Sequence, residues 1–303
     1  MSASGKKRIA HRIEYFFLKT LYAVFSRLSF KGGKRAAQAL YFLVAHVLRY
    51  RRKVILQNLH RVYGEELPME RKRLLKGIYR NFVYLWMEVL QTSLLTKENL
   101  DEHFDFHNRE VLDKIVAEGR GLVLLSGHFG NFEWLAQYFA MTGLTAYGIV
   151  KRQSNPYVNK LIEAIRTQKG ARIIYTKDAM AQGMEALRKK NILALVADQD
   201  ARHRGVFVDF MGLPSSTPVG PAVFHLRSKA PLYFIASIRK DYGKFDVWIE
   251  PVSDHVEHLE VNDENILRIT QKHTSALEKW VRKYPDQWFW MHKRWKTRPR
   301  DNG

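Results

Sequence analysis

The sequence predicts an α/β fold, in which a mostly parallel sheet is flanked by helices and preceded by an N-terminal helical membrane-docking region. Up to about residue 95 the apolar residues recur at helical spacing, and from residue 120 short β-type runs alternate with helical stretches. Alternation at that spacing is typical of βαβ units around a parallel sheet. We therefore divide the 303 residues into a basic amphipathic helical region, 1–95, and an α/β region, 96–303.

The N-terminal region is basic as well as helical. The chain carries 50 Lys and Arg against 30 Asp and Glu, a formal charge of +20, and residues 1–80 hold 19 of the cations but only 4 of the acids. Such a segment suits the anionic face of a membrane or a nucleic acid. Large apolar residues from Ile13 to Leu28 recur between its charges at helical spacing, which favours an amphipathic helix on a membrane.

Neither apolar run of this region is long enough to predict a membrane span, which needs about 20 predominantly apolar residues. The run 13–30 is broken by Glu14, Lys19 and Arg27, and the run 36–48 is shorter and contains His46. We predict that these helices attach in the plane of the membrane. The alternatives are a tilted span and helices that only cap the globular core.

The elements of the α/β region follow from β-type runs and from helical stretches that end at glycine or proline. Gly143 and Gly170 end the predicted helices 132–142 and 156–169, and Pro285 follows the predicted helix 265–284. Helix 179–190 completes the set, and the predicted strands are 121–126, 145–150, 171–175, 192–198, 231–238 and 245–250. No repeat or low-complexity linker separates the two regions, so we expect the N-terminal helices to pack on the α/β part.

The candidate catalytic group lies where strand 121–126 runs into the segment GHFGNFE, residues 127–133. In parallel sheets, sites form where strands end and helices begin. A histidine can take a proton from a hydroxyl at neutral pH, and a carboxylate on its other ring nitrogen stabilises the imidazolium. His128 and Glu133 offer that pair if the flanking glycines permit a turn before the helix. The N-terminus of the helix would also offer N–H groups to an oxyanion.

Two common residues at this spacing also fit a surface histidine after a strand, with Glu133 favourably placed near a helix N-terminus. The neighbouring residues decide between the two interpretations. HFGNFE at 128–133 strongly resembles a block of the lipid A late acyltransferases, the lauroyl and myristoyl transferases that add secondary acyl chains to lipopolysaccharide precursors. The resemblance continues in KR at 151–152, NP at 155–156, Arg166, Gly170, DQD at 198–200, GVFV at 205–208, FMG at 210–212, Pro214, Thr217, Gly220, AP at 230–231 and PDQWFWMHKRWKTRP at 285–299.

This resemblance implies acyl transfer from an acyl thioester, on acyl carrier protein or CoA, to a hydroxyl of a lipid A precursor at the cytoplasmic face of the inner membrane. His128 would act as the general base and Glu133 would orient it. No cofactor, metal or covalent acyl-enzyme is implied, and the chain has no cysteine. The expected partners are the acceptor glycolipid, acyl carrier protein and an anionic membrane surface.

Five further residues are candidates for substrate binding: Arg166, Arg152, Asp198, Asp200 and Asn131. The guanidinium of Arg166 or Arg152 suits phosphate or oxyanion contacts, although either could be a solvated surface residue. Asp198 and Asp200 follow a strand at the sheet edge predicted for His128, where they would orient Arg166 or a sugar hydroxyl. A magnesium site is the other interpretation of these acids, but no phosphate-binding glycine loop accompanies them.

The segment 288–300 is rich in tryptophan and cations. It suits a lipid interface with phosphate-bearing headgroups, single-stranded nucleic acid, or simple burial of its tryptophans. Two rival functions remain: a same-family acyltransferase acting on another glycolipid or an amino-acid lipid, and a non-catalytic basic nucleic-acid-binding protein. No RRM, KH or zinc-finger signature appears, so nucleic acid is not an expected partner.

Overall fold

The computed structural model of the chain describes residues 3–299. The N-terminal part is helical, as the apolar spacing predicts, with a π-helical turn at Leu43–Val47 and a 3₁₀ turn at Thr92–Leu94. Its helices are α1 (Ala3–Phe25), α2 (Phe30–Phe42), α3 (Arg52–Tyr63) and α4 (Arg71–Leu90). Ser29 begins α2, because its Oγ accepts a hydrogen bond from the Gly32 N–H at 3.2 Å. Among residues 3–299, none of the helices combines the length and apolar character that a membrane crossing requires.

The α/β part contains a seven-stranded sheet and a separate two-stranded hairpin. The strands are β1 (Phe104–Phe106), β2 (Leu122–Ser126), β3 (Ala146–Val150), β4 (Arg172–Tyr175), β5 (Ile192–Val196), β6 (Val206–Phe210), β7 (Leu213–Thr217), β8 (Leu232–Asp241) and β9 (Lys244–Ser253). The order in the large sheet is β1-β9-β8-β2-β5-β3-β4. Only β8 and β9 pair antiparallel there. The predicted α/β fold with a mostly parallel sheet is therefore confirmed.

Helices cover both faces of the large sheet. They are α5 (Leu100–His103), α6 (Arg109–Glu118), α7 (Phe132–Met141), α8 (Pro156–Thr167), α9 (Ala179–Arg188), α10 (Gly220–Ser228) and α11 (Asp263–Lys283). The side chains of β2 alternate between two cores. Leu124 packs in the same cluster as Trp134 of α7, whereas Val123 and Leu125 pack in the same cluster as Leu277 of α11.

The N-terminal helices share the core of the α/β part. Ile55 of α3 and Leu74 and Ile78 of α4 belong to the same buried cluster as Val123 and Leu193 of the sheet. The expectation that these helices pack on the α/β part is confirmed. The division of the chain into regions 1–95 and 96–303 stays a prediction, since a shared core marks no boundary.

Candidate functional site

The site is built at the carboxyl ends of two adjacent parallel strands. In the β2–β5 pair, Ser126 lies opposite Val196. His128 follows Ser126 by two residues, and Asp198 follows Val196 by two residues. The register of the strands therefore brings His128 and Asp198 side by side at the edge where parallel sheets form their sites.

Asp198 contacts His128 through both carboxylate oxygens. Its Oδ1 lies 2.6 Å from the imidazole Nδ1, and its Oδ2 accepts hydrogen bonds from the His128 backbone N–H at 2.7 Å and from the Trp288 indole Nε1 at 2.8 Å. An ionised carboxylate only accepts hydrogen bonds, so Nδ1 carries a proton and Nε2 of the neutral ring keeps its lone pair. This is the tautomer that a general base at Nε2 requires.

Opposing effects act on the pKa values of this pair. Burial lowers the pKa of His128, but the charge of Asp198, its hydrogen bond and the charge of Glu133 raise that pKa above its usual value. Burial raises the pKa of Asp198, while the charge of His128 and the hydrogen bonds from His128 and Trp288 hold that pKa below its usual value. Asp198 is therefore ionised at neutral pH and favours the imidazolium that proton abstraction would create.

Glu133 makes no hydrogen bond to His128, so the expected pairing of Glu133 with the imidazole is wrong. Its carboxylate instead forms a two-pronged ion pair with Arg166 of α8. Arg166 Nε donates to Oε2 at 2.9 Å, and Arg166 Nη2 donates to Oε1. The reason is geometric, because Asp198 already accepts from Nδ1 and the first turn of α7 brings Glu133 against α8. Roles for Glu133 and Arg166 in catalysis or substrate binding stay predictions.

Gly130 and Asn131 shape the turn between β2 and α7. Gly130 has a φ of +53°, and a Cβ there would lie 1.7 Å from the Ser237 carbonyl oxygen, so only glycine fits. Asn131 begins α7: its Oδ1 accepts from the Trp134 N–H at 3.0 Å, and its Nδ2 donates to Glu88 Oε2 at 2.8 Å. Asn131 is fully buried. Asn131 therefore holds the helix in place, and the substrate contact expected of it stays a prediction.

The other two substrate-binding candidates lie apart from the imidazole. Asp200 is half-buried, and its Oδ2 accepts from Thr297 Oγ1 at 2.9 Å. Arg152 is exposed, with its guanidinium 4.3 Å from the centre of the Tyr175 ring. Neither Asp198 nor Asp200 orients Arg166, because Arg166 is held by Glu133. Substrate contacts by Asp200 and Arg152 stay predictions.

A cavity of about 160 Å³ opens beside His128. Its lining is mainly apolar and aromatic, and it comprises Ile78, Phe82, Leu85, Trp86, Phe132, Trp288, Phe289 and Met291 with the polar residues Asn81, His128 and Gln199. Gln199 Nε2 lies 3.2 Å from His128 Nε2. The carboxamide of Gln199 therefore donates to the lone pair that would receive a proton from substrate.

The C-terminal tryptophans belong to the core and not to a lipid interface. Trp288, Trp290 and Trp295 are all buried, whereas Lys293 and Lys296 point to the surface. Arg300 lies outside the described residues. The segment is tied to the turn that carries His128, since the Phe289 N–H donates to the His128 carbonyl oxygen at 3.1 Å.

Sequence reasoning missed Trp288 and Gln199 as site residues. Both stand in blocks that carry the family resemblance, so the sequence did signal the segments. It did not signal which side chain of DQD or of the C-terminal block faces the imidazole. That choice depends on the strand register and on the Phe129–Trp288 bridge, which joins segments far apart in the chain.

One group of three possible metal ligands occurs in the described part of the chain, away from His128. Asp105, His107 and Asp246 bring their ligand atoms within 4.8 Å of one another at the β1–β9 edge. A lysine already balances the acids, since Lys240 Nζ lies 3.1 Å from Asp246 and 3.9 Å from Asp105. His107 also stacks on Trp248 at 4.3 Å. We assign no metal to this group.

Comparison with known proteins gives consistent matches along the chain. A family model described as bacterial lipid A biosynthesis acyltransferase matches residues 4–297. The lipid A biosynthesis palmitoleoyltransferase of Escherichia coli (strain K12) is 23% identical over 283 residues, covering 90% of this chain and 86% of that protein. The lauroyltransferase of the same organism is 24% identical over 286 residues, covering 92% and 87%.

A relative named for a different acceptor lipid matches the chain over a shorter stretch. The phosphatidylinositol mannoside acyltransferase of Mycobacterium tuberculosis (strain ATCC 25618 / H37Rv) is 25% identical over 182 residues, which cover 58% of each chain. The relatives therefore share acyl transfer in their names and differ in the acyl group or the acceptor lipid that those names give.

Proposed function

Because this chain belongs to the bacterial lipid A biosynthesis acyltransferase family, we propose that it transfers a fatty acyl chain from a thioester to a hydroxyl of a lipid A precursor. The observation that carries the mechanism is the His128–Asp198 pair at the mouth of an apolar cavity. Nε2 is the ring nitrogen on the cavity side, where Gln199 now occupies it. An acceptor hydroxyl would replace the Gln199 carboxamide there.

The reaction follows from that geometry. Nε2 of His128 takes the proton of the acceptor hydroxyl while the oxygen attacks the thioester carbonyl carbon. The carbonyl oxygen becomes an oxyanion, which the displaced Gln199 carboxamide and the N-terminus of α7 can stabilise. The C–S bond then breaks, and the imidazolium returns its proton to the leaving thiolate. Asp198 stabilises the imidazolium throughout, so no covalent acyl-enzyme is needed.

The shape of the cavity fits one end of an acyl chain. At about 160 Å³ it is smaller than the roughly 300–1,000 Å³ of pockets that enclose drug-sized ligands. A long acyl chain would therefore fill the cavity next to His128 and continue over apolar surface outside it. Trp86, which lines the cavity and is 44% exposed, marks that exit.

Exposed apolar side chains support attachment to the cytoplasmic face of the inner membrane. Ten of the seventeen exposed large hydrophobic side chains in the described part of the chain lie between residues 9 and 50. They are Ile9, Ile13, Phe16, Phe17, Val24, Phe42, Leu43, Val47, Leu48 and Tyr50. Cations surround them in the sequence, which suits in-plane binding to anionic lipid.

A second acceptor class is favoured by one observation. The mannoside acyltransferase relative is 25% identical over 182 residues, so the similarity extends to a protein named for another glycolipid. Acylation of a different glycolipid is therefore the alternative function, with the same His128 chemistry. Acyl carrier protein is our proposed donor carrier, since the basic surface suits an acidic protein, and CoA is the alternative.

The test is a transfer assay with the purified full chain in mixed micelles. The donors would be acyl carrier protein and CoA thioesters of several chain lengths, and the acceptors a lipid A precursor and a phosphatidylinositol mannoside. We expect acylated lipid A precursor, with the carrier protein as the better donor. Product from the mannoside alone would replace our acceptor with the alternative, and no product from any pair would reject the function.

A further inference from the structure

A second concavity lies beside the catalytic cavity, between α3 and the C-terminal segment. Its volume is about 620 Å³, which falls in the range of ligand pockets. One wall carries Asn58, His60 and Arg61 of α3, and the other carries Lys293, Trp295, Lys296 and Arg298. We call it the basic groove.

The cations of the basic groove are not neutralised by carboxylates of the chain. Arg61, Lys293, Lys296 and Arg298 form no ion pair within residues 3–299, and they are all exposed. His60 pairs with the exposed Glu65 at 3.3 Å. Asp200 accepts a hydrogen bond from Thr297, which stands between Lys296 and Arg298 in the sequence, but it forms no ion pair with either cation within residues 3–299. Four unpaired cations around one concavity repel each other unless an anion joins them.

A neighbouring depression extends this charge. It has a volume of about 500 Å³ and is lined by Arg49, Arg52, Lys53 and Leu56 together with Gln57 and His60, which both concavities share. A positive surface therefore continues along α3 from one concavity to the other.

Hydrogen bonds connect the basic groove to the wall of the catalytic cavity. Asn58 Nδ2 donates to the carbonyl oxygens of Trp290 at 2.8 Å and His292 at 2.7 Å, and Arg61 Nη1 donates to that of Trp295 at 2.8 Å. Met291, between the first two, lines the catalytic cavity. Lys293 follows Met291 by two residues, so their Cα atoms lie within about 7 Å.

From this geometry we infer that the basic groove binds a phosphate group on the headgroup of the acceptor lipid. The inference rests on the proposed function. Arginine forks and lysine ammonium groups suit phosphate oxygens, and the concavity suits a headgroup better than the flatter face of a protein partner. Because the basic groove lies close to the cavity beside His128, a phosphate of the acceptor lipid fits it better than a phosphate of the acyl donor. A pantetheine phosphate is separated from its thioester by a long arm, whereas the headgroup phosphate lies closer to the acceptor hydroxyl.

The test compares a groove variant with a control variant of equal charge. The groove variant is Lys293→Gln/Lys296→Gln/Arg298→Gln, whose side chains are exposed and make no hydrogen bond within the described residues. The probes are nonionic micelles that contain a phosphorylated lipid A precursor or the same lipid after phosphatase treatment. Binding is measured without donor, and KM and kcat are measured with it.

The control variant is Lys114→Gln/Lys177→Gln/Lys272→Gln, three exposed lysines on α6, the β4–α9 turn and α11 that form no ion pair within residues 3–299. It removes the same charge as the groove variant but leaves the groove intact. A general effect of net charge on micelle binding would therefore appear equally in both variants.

We expect the groove variant to weaken binding of the phosphorylated lipid, and to raise its KM, by at least about 10-fold with kcat nearly unchanged. The phosphatase-treated lipid should bind wild type and variant alike. Equal losses in the control variant, or equal losses for both lipids, would overturn the inference. A raised KM for the donor alone would assign the groove to the pantetheine phosphate. Because binding needs no turnover, a protein that binds but does not acylate this lipid would reject the proposed function alone.

Discussion

Asp198 determines how His128 presents its reactive nitrogen. Three donors converge on one carboxylate: the imidazole Nδ1, the backbone N–H of His128 and the indole of Trp288. The Nδ1 donor sets the tautomer of the imidazole. The other two donors fix the orientation of the carboxylate, and the carboxylate in turn fixes the orientation of the ring. The tautomer and orientation of the proposed base, His128, therefore depend on a residue 70 positions away in the sequence.

Replacing Asp198 by asparagine tests this dependence. An amide NH₂ group in place of Oδ2 would face the backbone and indole donors and lose two hydrogen bonds, whereas in the flipped orientation it would face the Nδ1–H and lose one. We expect kcat to fall by about 10²- to 10⁴-fold. The measurement is acyl transfer by purified wild type and Asp198→Asn.

The pH dependence of the same variant separates a base-orienting role from a purely structural one. In wild type, activity should be lost as pH falls through the raised pKa of His128, because the base must be neutral. Asp198→Asn removes the charge that raises this pKa, so the acidic limb of kcat/KM should move to lower pH. Asp200→Asn is the control, since Asp200 bonds Thr297 instead, and it should leave the limb in place. An unmoved limb in Asp198→Asn would contradict the assignment.

At the scale of elements, an ion pair joins α7 to α8 next to the site. The Glu133 and Arg166 side chains are 12% and 20% exposed, so removal of either partner leaves a largely buried charge. Each of Glu133→Ala and Arg166→Ala should reduce transfer strongly, and the double variant should lose less than the sum of the two losses. A coupling of about 1–3 kcal/mol in a double-mutant cycle on kcat/KM is the expected result. Additive losses would show that the two side chains act separately.

The exposed apolar face of α1 is the element that should hold the chain on the membrane. Phe16 and Phe17 are 72% and 65% exposed. Phe16→Asp/Phe17→Asp should shift the protein from the membrane to the soluble fraction on sedimentation with anionic vesicles, because it removes apolar area and adds negative charge. Wild type should partly resist release by 1 M salt, where charge attraction is screened. The control, Lys177→Asp/Lys272→Asp, should stay bound; equal release of the control would contradict an apolar anchor.

Some elements could be predicted from the sequence and others could not. Strands that form a continuous apolar run and helices with clear apolar spacing, such as β2 and α7, were predictable because local patterning specifies them. The β6–β7 hairpin was missed because its two-residue turn is Met211-Gly212, with φ of +61° and +76°, where methionine is unusual. Asp198 was expected at the correct sheet edge, but with Arg166 or a sugar hydroxyl as its partner and not His128. The sequence shows only that Glu133 follows His128 by five residues. The actual partner of His128 depends on the register between β2 and β5, which sequence spacing does not reveal.

At the scale of the whole molecule, a buried polar network joins the N-terminal helices to the sheet and to the turn that carries His128. Glu88 of α4 is fully buried and ion-paired with Arg239 of β8. It also accepts hydrogen bonds from Asn131 Nδ2 and the Gly243 N–H, each at 2.8 Å. The cap of α7, and with it the turn that carries His128, therefore rests on residues from both regions of the chain.

Loss of Arg239 should destabilise the whole fold. Arg239→Met leaves Glu88 buried without its cation, and burial already raises the pKa of Glu88 even with Arg239 present. We expect a loss of about 3–5 kcal/mol in the free energy of unfolding, measured by denaturant titration in detergent. Glu88→Gln/Arg239→Met removes both charges and should recover part of that loss. A double variant no more stable than Arg239→Met would show that the ion pair does not carry the effect.

We propose that this chain acylates a lipid A precursor with His128 as the base. The most direct measurement is mass spectrometry of lipid A from a host that lacks a late acyltransferase and expresses either wild type or His128→Ala. We predict a mass gain of one fatty acyl group with wild type and none with the variant, at equal amounts of membrane-bound protein. The same mass gain with His128→Ala would contradict the assignment of His128 as the base.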